Sequence, residues 1–445
     1  MNEYVSRVLA KVKEKDQSQP EFIQAVEEVL SSVEVIFDHN PEYEKKAVLE
    51  RLIEPERVIQ FRVPWIDDAG GYHVNRGFRV QYNSCLGPYK GGLRFHPTVN
   101  QGVLKFLGFE QTFKNALTLL PIGGAKGGAD FDPKGKSDSE IMRFCQSFMI
   151  ELYRHIGPDV DVPAGDMGVG AREIGFLFGQ YKRIVGAYHA GVLTGKGLGY
   201  GGSLIRKEAT GYGLVYFVEE MLKASNISGD QRVLVSGSGN VAIYAAEKAL
   251  QNGWKVIAMS DSKGYVVDDN IDLTVIKRIK EVEHGSLSVY PKYARHGEYH
   301  EGSVYNANLA YDIALPCGTQ NEINKEMALK LVNCGCKLVA EGANMPSTKE
   351  AIDVYKENNI LYGPGKAANA GGVATSALEM TQNSMRLAWS SEEVDEKLKE
   401  IMKAIHTQCV KACNKYNLKT TDYMAGANIA GMERVIEAML AQGDY

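Results

Sequence analysis

No apolar run in the chain reaches the roughly eighteen residues that a membrane-spanning helix needs, so no membrane partner is expected. Its apolar stretches, such as Val233–Val235 and Ile313–Leu315, have the length of strands. Basic residues are not in excess. The formal net charge of -5 argues against a general nucleic-acid binder, while leaving room for a local basic pocket. The opening Met-Asn-Glu-Tyr is followed by an amphipathic stretch with no apolar h-region or small-residue cleavage site, so no signal peptide is expected. Paired cysteines are lacking as well. The 7 cysteines, Cys85, Cys145, Cys317, Cys334, Cys336, Cys409 and Cys413, are odd in number and scattered, which suits free thiols in a reducing cytoplasm. Cys334 with Cys336, and Cys409 with Cys413, lack the Cys-x-x-Cys spacing or histidine partners of a zinc site, and no metal is expected. A phosphate-binding P-loop is missing too: Gly191-Val-Leu-Thr-Gly195-Lys196 has one residue too few between its glycines and no Ser or Thr after the lysine. Internal repeats and low-complexity segments are absent.

What is present is a folded globular chain of 445 residues, 44% hydrophobic and 24% charged, long enough for two domains. Residues 1 to about 55 read as helical. Val58–Trp65 and His73–Tyr82 alternate like two antiparallel strands around the turn Asp67–Gly71. A helix is expected near Leu104–Leu119, and another over 137–156, opened by Ser137 with Glu140 as a capping box. Beyond Glu208, short apolar strands at 233–236, 256–259, 312–315, 337–339 and 360–362 alternate with helices, the pattern of a parallel, doubly wound sheet. Helices are expected over 392–416 and 427–442. The Gly-rich stretch Gly191–Gly202 is the candidate hinge between two halves.

Val233-Leu-Val-Ser-Gly237-Ser-Gly239-Asn-Val-Ala242 places a Gly-x-Gly-x-x-Ala turn between a strand and a helix. Gly237 permits the tight turn, Gly239 lets a pyrophosphate approach the backbone, and Ala242 lets the helix pack closely on the sheet. Ser238, Asn240 and Val241 bring backbone N–H groups to the helix N-terminus, where anions are favoured. Asp261 ends the next strand and favours NAD through the ribose 2′-hydroxyl, whereas Ser260, Ser262 and Lys263 beside it suit a 2′-phosphate.

Lys90 and Lys126 stand beside glycine pairs, and Lys114 follows Gln111-Thr-Phe. Such glycines let a ligand approach the backbone and leave the ammonium uncovered. If the lysines converge, the cluster is cationic and suits a dicarboxylate, and mutual repulsion favours a lysine acting as general base. Asp166, in a glycine turn, complements them as a proton carrier.

In these segments the chain resembles the glutamate dehydrogenase family, of the hexameric type about 450 residues long. Gly87-Pro-Tyr-Lys-Gly-Gly-Leu-Arg-Phe95, Gly123-Gly-Ala-Lys-Gly-Gly128, Asp161-Val-Pro-Ala-Gly-Asp166, Gly342-Ala-Asn-Met-Pro346 and Asn369-Ala-Gly-Gly-Val-Ala-Thr-Ser376 carry the resemblance, which spans essentially the whole chain. It implies hydride transfer between L-glutamate and a nicotinamide cofactor, giving 2-oxoglutarate and ammonia. Lys90 and Ser376 would hold the side-chain carboxylate, and Lys114 with Gln111 the α-carboxylate. Lys126 would polarise the carbonyl and activate water, and Asp166 would move protons. Arg206 and Thr210 would serve site closure and cofactor binding, with Asn240, Asn344 and Asn369 lining the cofactor cleft. Ser260-Asp261-Ser262 resembles NADP-using members, so NADP is expected, with NAD or both as the alternative. Lys207 and Gly318 depart from the family's usual residues.

The resemblance implies an α/β protein of two domains. Residues 1–200, rejoined by 421–445, form a substrate-binding and oligomerisation domain; 201–420 form a Rossmann-type dinucleotide-binding domain; the site lies in a cleft that closes. A homohexamer is implied. The rival readings are a dehydrogenase for another amino acid, and a catalytically silent binding or regulatory homologue.

Overall fold

A computed structural model describes residues 2–443. The chain forms two compact units. The first runs from the N-terminus to Leu204, takes in Val373–Val394 and ends with the chain from Asn428; the second comprises Ile205–Gly372 and Asp395–Ala427. Val373–Val394, placed in the second domain by sequence reading, therefore packs in the first unit. Each late crossing falls inside an unbroken helix, Gly371–Met385, Ser391–Lys415 or Tyr423–Gln442, so no change of composition marks it.

The first unit is built on a five-stranded sheet. Its strands are β1 (Arg57–Ile66), β2 (Tyr72–Asn83), β3 (Tyr89–Phe95), β4 (Gly124–Ala129) and β5 (Asp161–Gly165), in the order β1-β2-β4-β3-β5. β1 and β2 are the expected hairpin, paired from Arg57↔Gln81 to Ile66↔Tyr72. Its turn is held by the Asp67 carboxylate, which accepts the N–H groups of Ala69 (2.9 Å) and Gly71 (2.7 Å). β4, β3 and β5 run parallel. One face of the sheet carries Leu93, Phe95 and Ala129 into a core with Phe144 and Phe148 of helix Asp138–Leu152 and with Ile174 and Leu177 of helix Ala171–Val185. The capping box is present as expected: Glu140 N–H donates to Ser137 Oγ (3.1 Å), and Ser137 N–H to the Glu140 carboxylate (2.8 Å).

A buried ion pair joins β2 to β5 within this unit. Arg79 donates Nε to Asp161 Oδ2 (2.8 Å), Nη2 to Asp161 Oδ1 and Nη1 to the Gly91 carbonyl (3.1 Å), and Gln81 adds a third bond to Asp161 (3.0 Å). Both charged side chains are fully buried. Removing one partner strands the other charge away from water. Arg79→Met is therefore expected to cost about 3–5 kcal/mol of stability, measured by denaturant unfolding; a cost below about 1 kcal/mol would contradict this reading.

The second unit carries a seven-stranded sheet: β6 (Arg232–Ser236), β7 (Lys255–Ser260), β8 (Gly264–Val267), β9 (Glu298–Glu301), β10 (Ile313–Pro316), β11 (Leu338–Ala340) and β12 (Leu361–Gly363). The order is β12-β11-β10-β6-β7-β8-β9. The five strands from β12 to β7 are parallel, and their cores, such as Val233–Val235, are fully buried, as strands covered on both faces must be. β8 and β9 add an antiparallel edge that sequence reading did not anticipate. β6 lies between β7 and β10, so the strand order reverses there, and a crevice opens at the carboxyl ends of β6 and β10. Among the described residues no helix is long and apolar enough to cross a membrane.

Candidate active site

Side chains alternate across a strand, and this parity sorts β3 into two faces. Leu93 and Phe95 enter the aromatic core, so Lys90, Gly92 and Arg94 belong to the opposite face. The parallel registers Leu93↔Gly127 and Lys90↔Val162 carry the same parity to Lys126 on β4 and to Asp166, the residue that follows β5. Lys90, Arg94, Lys126 and Asp166 thus share one polar face. Helix Gln101–Leu117, which carries Gln111 and Lys114, packs on that face: a Cβ at Gly124 would run into the Thr112 side chain. Asn115, one residue after Lys114, donates to the carbonyls of Lys90 (3.0 Å) and Gly123 (2.6 Å) and so ties the helix end to β3. Gln111 donates to Asn115 Oδ1 (2.6 Å).

Within this group, Asp166 Oδ2 accepts from Lys126 Nζ (3.0 Å) and from Arg94 Nε (3.0 Å). Burial alone would push the Asp166 carboxyl up, but the charges of Lys126 and Arg94 outweigh it and hold the group at about 2. Asp166 is consequently ionised at neutral pH and already faces the ammonium it was expected to assist. Arg94 is the member of this polar face that sequence reading passed over. It stands inside the quoted Gly87–Phe95 segment, and the period-two spacing from Lys90 was the available signal.

Lys90 is 1% exposed and donates Nζ to Thr194 Oγ1 (2.8 Å). Ser376, on the part of helix Gly371–Met385 that belongs to the first unit, is equally buried. The expectation that glycines leave these ammonium groups uncovered is corrected here. A Cβ at Gly91 would strike the Ala125 carbonyl, and one at Gly92 would come within 2.8 Å of Asp166 Cβ. The glycines let strands and helix approach one another, not a ligand, and the lysines beside them are buried. Nor is Gly191–Gly202 a free hinge. The whole stretch lies in the first unit, and Asn383 binds the Gly201 carbonyl (2.7 Å).

In the second unit, Gly237 follows β6 with φ +87°, a conformation that disfavours any side chain, and a Cβ there would come within 3.1 Å of Gly318 Cα, just beyond β10. Its N–H donates to Ser260 Oγ (2.8 Å). Gly239 opens helix Asn240–Gln251, which has no side-chain cap, and a Cβ on Gly239 would meet only open space. Ser238 is buried, Asn240 is exposed and Val241 half-buried, so backbone amides there face outward at a positive helix end. Asn369 donates to Asn344 Oδ1 (3.0 Å) and to the carbonyls of Gly342 and Ala343 (3.2 Å each), joining two expected cofactor residues. Arg206 and Thr210 lie together beside Gly372 in this same unit: a Cβ on Gly372 would sit 2.7 Å from Thr210 Oγ1 and 3.7 Å from Arg206.

Asp261 is engaged by the protein itself. Oδ1 accepts the N–H groups of Lys263 (2.9 Å) and Gly264 (3.2 Å), and Oδ2 accepts Ser286 Oγ (3.1 Å) and Leu287 N–H (2.8 Å). Burial opposes its charge, but these donors hold the carboxyl below its usual range. All four lone-pair directions are occupied, so the ribose contact expected of Asp261 is not on offer, while Ser262 and Lys263 next to it are exposed. Among the described residues no three His, Cys, Asp or Glu side chains are grouped as metal ligands.

Two family models cover the chain. Residues 55–183 match the Glu/Leu/Phe/Val dehydrogenase dimerisation domain, and residues 201–443 match Glutamate/Leucine/Phenylalanine/Valine dehydrogenase. The chain is 55% identical to an NADP-specific glutamate dehydrogenase of Giardia intestinalis, covering 99% of this chain and 98% of that one. It is also 55% identical to an NAD(P)-specific glutamate dehydrogenase of Xylanibacter ruminicola, covering 99% of each. The crystal structure of Plasmodium falciparum glutamate dehydrogenase aligns with a TM-score of 0.96 at 52% identity, over 99% of this chain and 95% of that one. The polar face, the crevice at Gly237 and these matches agree: the chain belongs to the Glutamate/Leucine/Phenylalanine/Valine dehydrogenase family.

Proposed function

We propose that the chain is a glutamate dehydrogenase that interconverts L-glutamate, water and NADP with 2-oxoglutarate, ammonia and NADPH. The observation that carries the reading is the face shared by β3, β4 and β5, which bears Lys90, Lys126, Arg94 and Asp166, with Lys126 and Arg94 both bonded to Asp166 and helix Gln101–Leu117 packed on the same side. Near-identity in length to relatives named glutamate dehydrogenases supports it.

The nicotinamide, when bound, takes up or gives the hydride at the substrate Cα. The chain's own groups do the rest. Lys90 and Ser376 bind the distal carboxylate, and Lys114 with Gln111 the α-carboxylate. Two anchored ends fix Cα in one orientation, which is where most of the rate gain from positioning arises. Asp166 accepts the proton lost from the substrate ammonium and returns protons as water adds to the imine and ammonia leaves. Lys126 donates to the carbonyl oxygen or its tetrahedral precursor and steadies the negative charge that develops there. The two groups start in contact, so a substrate oxygen inserted at Lys126 draws that ammonium from Asp166 and makes the carboxylate more basic as it is needed.

NADP fits the second unit better than NAD because Asp261 turns both its oxygens inward. Ser262 and Lys263 are left to meet a 2′-phosphate, with Thr210, Asn344 and Asn369 as further cofactor contacts. Following reduced-nicotinamide absorbance with 2-oxoglutarate and ammonia should give turnover with NADPH at least about tenfold more efficient than with NADH. Equal efficiency would remove the NADP preference in favour of dual use; no turnover with either would remove the enzyme reading.

Self-association as a homohexamer belongs to the same proposal, supported by the dimerisation-domain match over residues 55–183. So does a cytoplasmic location, supported by 7 free cysteines, which a reducing compartment preserves.

A further inference from the structure

A second ion pair of the first unit, like Arg79 with Asp161, lies wholly out of solvent. Lys196 Nζ stands 2.7 Å from Glu379 Oε1, and both side chains have 0% exposure. Lys196 belongs to the glycine-rich stretch that fails as a P-loop. Glu379 lies three residues after Ser376 on helix Gly371–Met385, hence on the same helix face. Its carboxylate also accepts the N–H groups of Gly195 (3.0 Å) and Lys196 (3.4 Å). Lys196 completes the strap by donating to the Leu193 carbonyl and to Asn383 Oδ1 (2.9 Å). Between these anchors sits Thr194, which donates its N–H to the Pro163 carbonyl on β5 (3.0 Å) and takes the Lys90 ammonium on its hydroxyl.

A buried ion pair is a weak source of stability, because desolvation offsets most of the attraction. What it supplies is a fixed geometry between the segments that carry it. Here those segments are the loop of Thr194 and the helix of Ser376. We propose that Glu379 and Lys196 are positioning residues for distal-carboxylate specificity, holding Thr194 and Ser376 in one fixed relation so that the Lys90 ammonium keeps its place. The proposal rests on the reading that Lys90 and Ser376 take the distal carboxylate of 2-oxoglutarate. Neither Glu379 nor Lys196 needs to touch the substrate, so their loss should act on the recognition of that carboxylate and leave the reacting carbon alone.

The test compares 2-oxoglutarate with 2-oxopentanoate, which has the same chain length and no distal carboxylate. In Glu379→Gln, KM for 2-oxoglutarate is expected to rise about tenfold, with kcat and the KM values for ammonia and NADPH within about twofold of wild type. Efficiency with 2-oxopentanoate should change little, so the selectivity ratio falls. Because Glu379→Gln leaves a buried ammonium with a neutral partner, Lys196→Met/Glu379→Leu is measured beside it; it removes both charges together and is expected to fold and show the same loss of selectivity. An unchanged ratio in both variants, or equal losses on both substrates, would overturn the strap. Wild-type enzyme that fails to turn over 2-oxoglutarate would instead overturn the functional reading on which the strap depends.

Discussion

Lys126→Met is expected to lower kcat by at least about a thousandfold while NADPH still binds with near-normal affinity, measured by fluorescence titration. The size of the effect follows from the position of the ammonium. It is buried on β4, 3.0 Å from Asp166, and methionine fills a similar volume without any donor. The cofactor crevice is built from other residues, in the second unit, so its affinity is a separate readout. The variant carries a second signature. In the wild type, Asp166 is held at about 2 against 3.8 for the free side chain, so its ionisation favours the folded state above pH 3.8, and that contribution is lost as pH falls to about 2. With Lys126 gone, burial meets only the Arg94 charge and the carboxyl moves up. The variant should therefore begin acid unfolding at higher pH than the wild type, followed by circular dichroism. Turnover within about tenfold of wild type would refute the role given to Lys126.

Lys90→Met should have the next largest effect, on selectivity. Losing a buried ammonium that pairs with a substrate carboxylate costs about 4 kcal/mol, a thousandfold fall in kcat/KM for 2-oxoglutarate. A 2-oxo acid without the distal carboxylate no longer leaves that ammonium unmatched, so its efficiency should rise, by about tenfold. If 2-oxoglutarate and 2-oxopentanoate lose equally, Lys90 holds the fold and does not read the substrate.

The chemistry of the site was more legible in the sequence than the scaffold that presents it. Lys90 and Lys126 stood out because lysines rarely sit beside paired glycines, Asp166 because its glycine turn complements them, and the structure puts Lys126 and Asp166 in contact. The strands beneath them were hidden for the same reason. β3 and β4 contain Lys-Gly-Gly and Gly-Ala-Lys-Gly-Gly, which carry almost no strand preference; close approach to Ala125 and Thr112 selects those glycines. Helix Ala171–Val185 is likewise hard to see in the sequence. Ile174, Leu177, Phe178 and Tyr181 do fall at helical spacing, but Gly175 and Gly179, half-buried between them, weaken the local signal. β6, β7 and β10 were read correctly because buried parallel strands are continuous apolar runs. The antiparallel edge β9 is Glu-Tyr-His-Glu, largely exposed, with no apolar run to find. Arg94, Thr194 and Glu379 matter through neighbours distant in sequence, and the hydrogen bonds that hold Asp261 and the stretch 191–202 also come from distant residues.

In the proposed function, one cationic face grips both ends of a five-carbon diacid. Its most direct test is the wild-type ratio of kcat/KM for 2-oxoglutarate over 2-oxopentanoate, with NADPH and saturating ammonia. A site that pairs a buried ammonium with the distal carboxylate predicts a ratio of about a thousand or more. A ratio near one would mean that Lys90 meets no substrate charge, and the assignment of glutamate would fall.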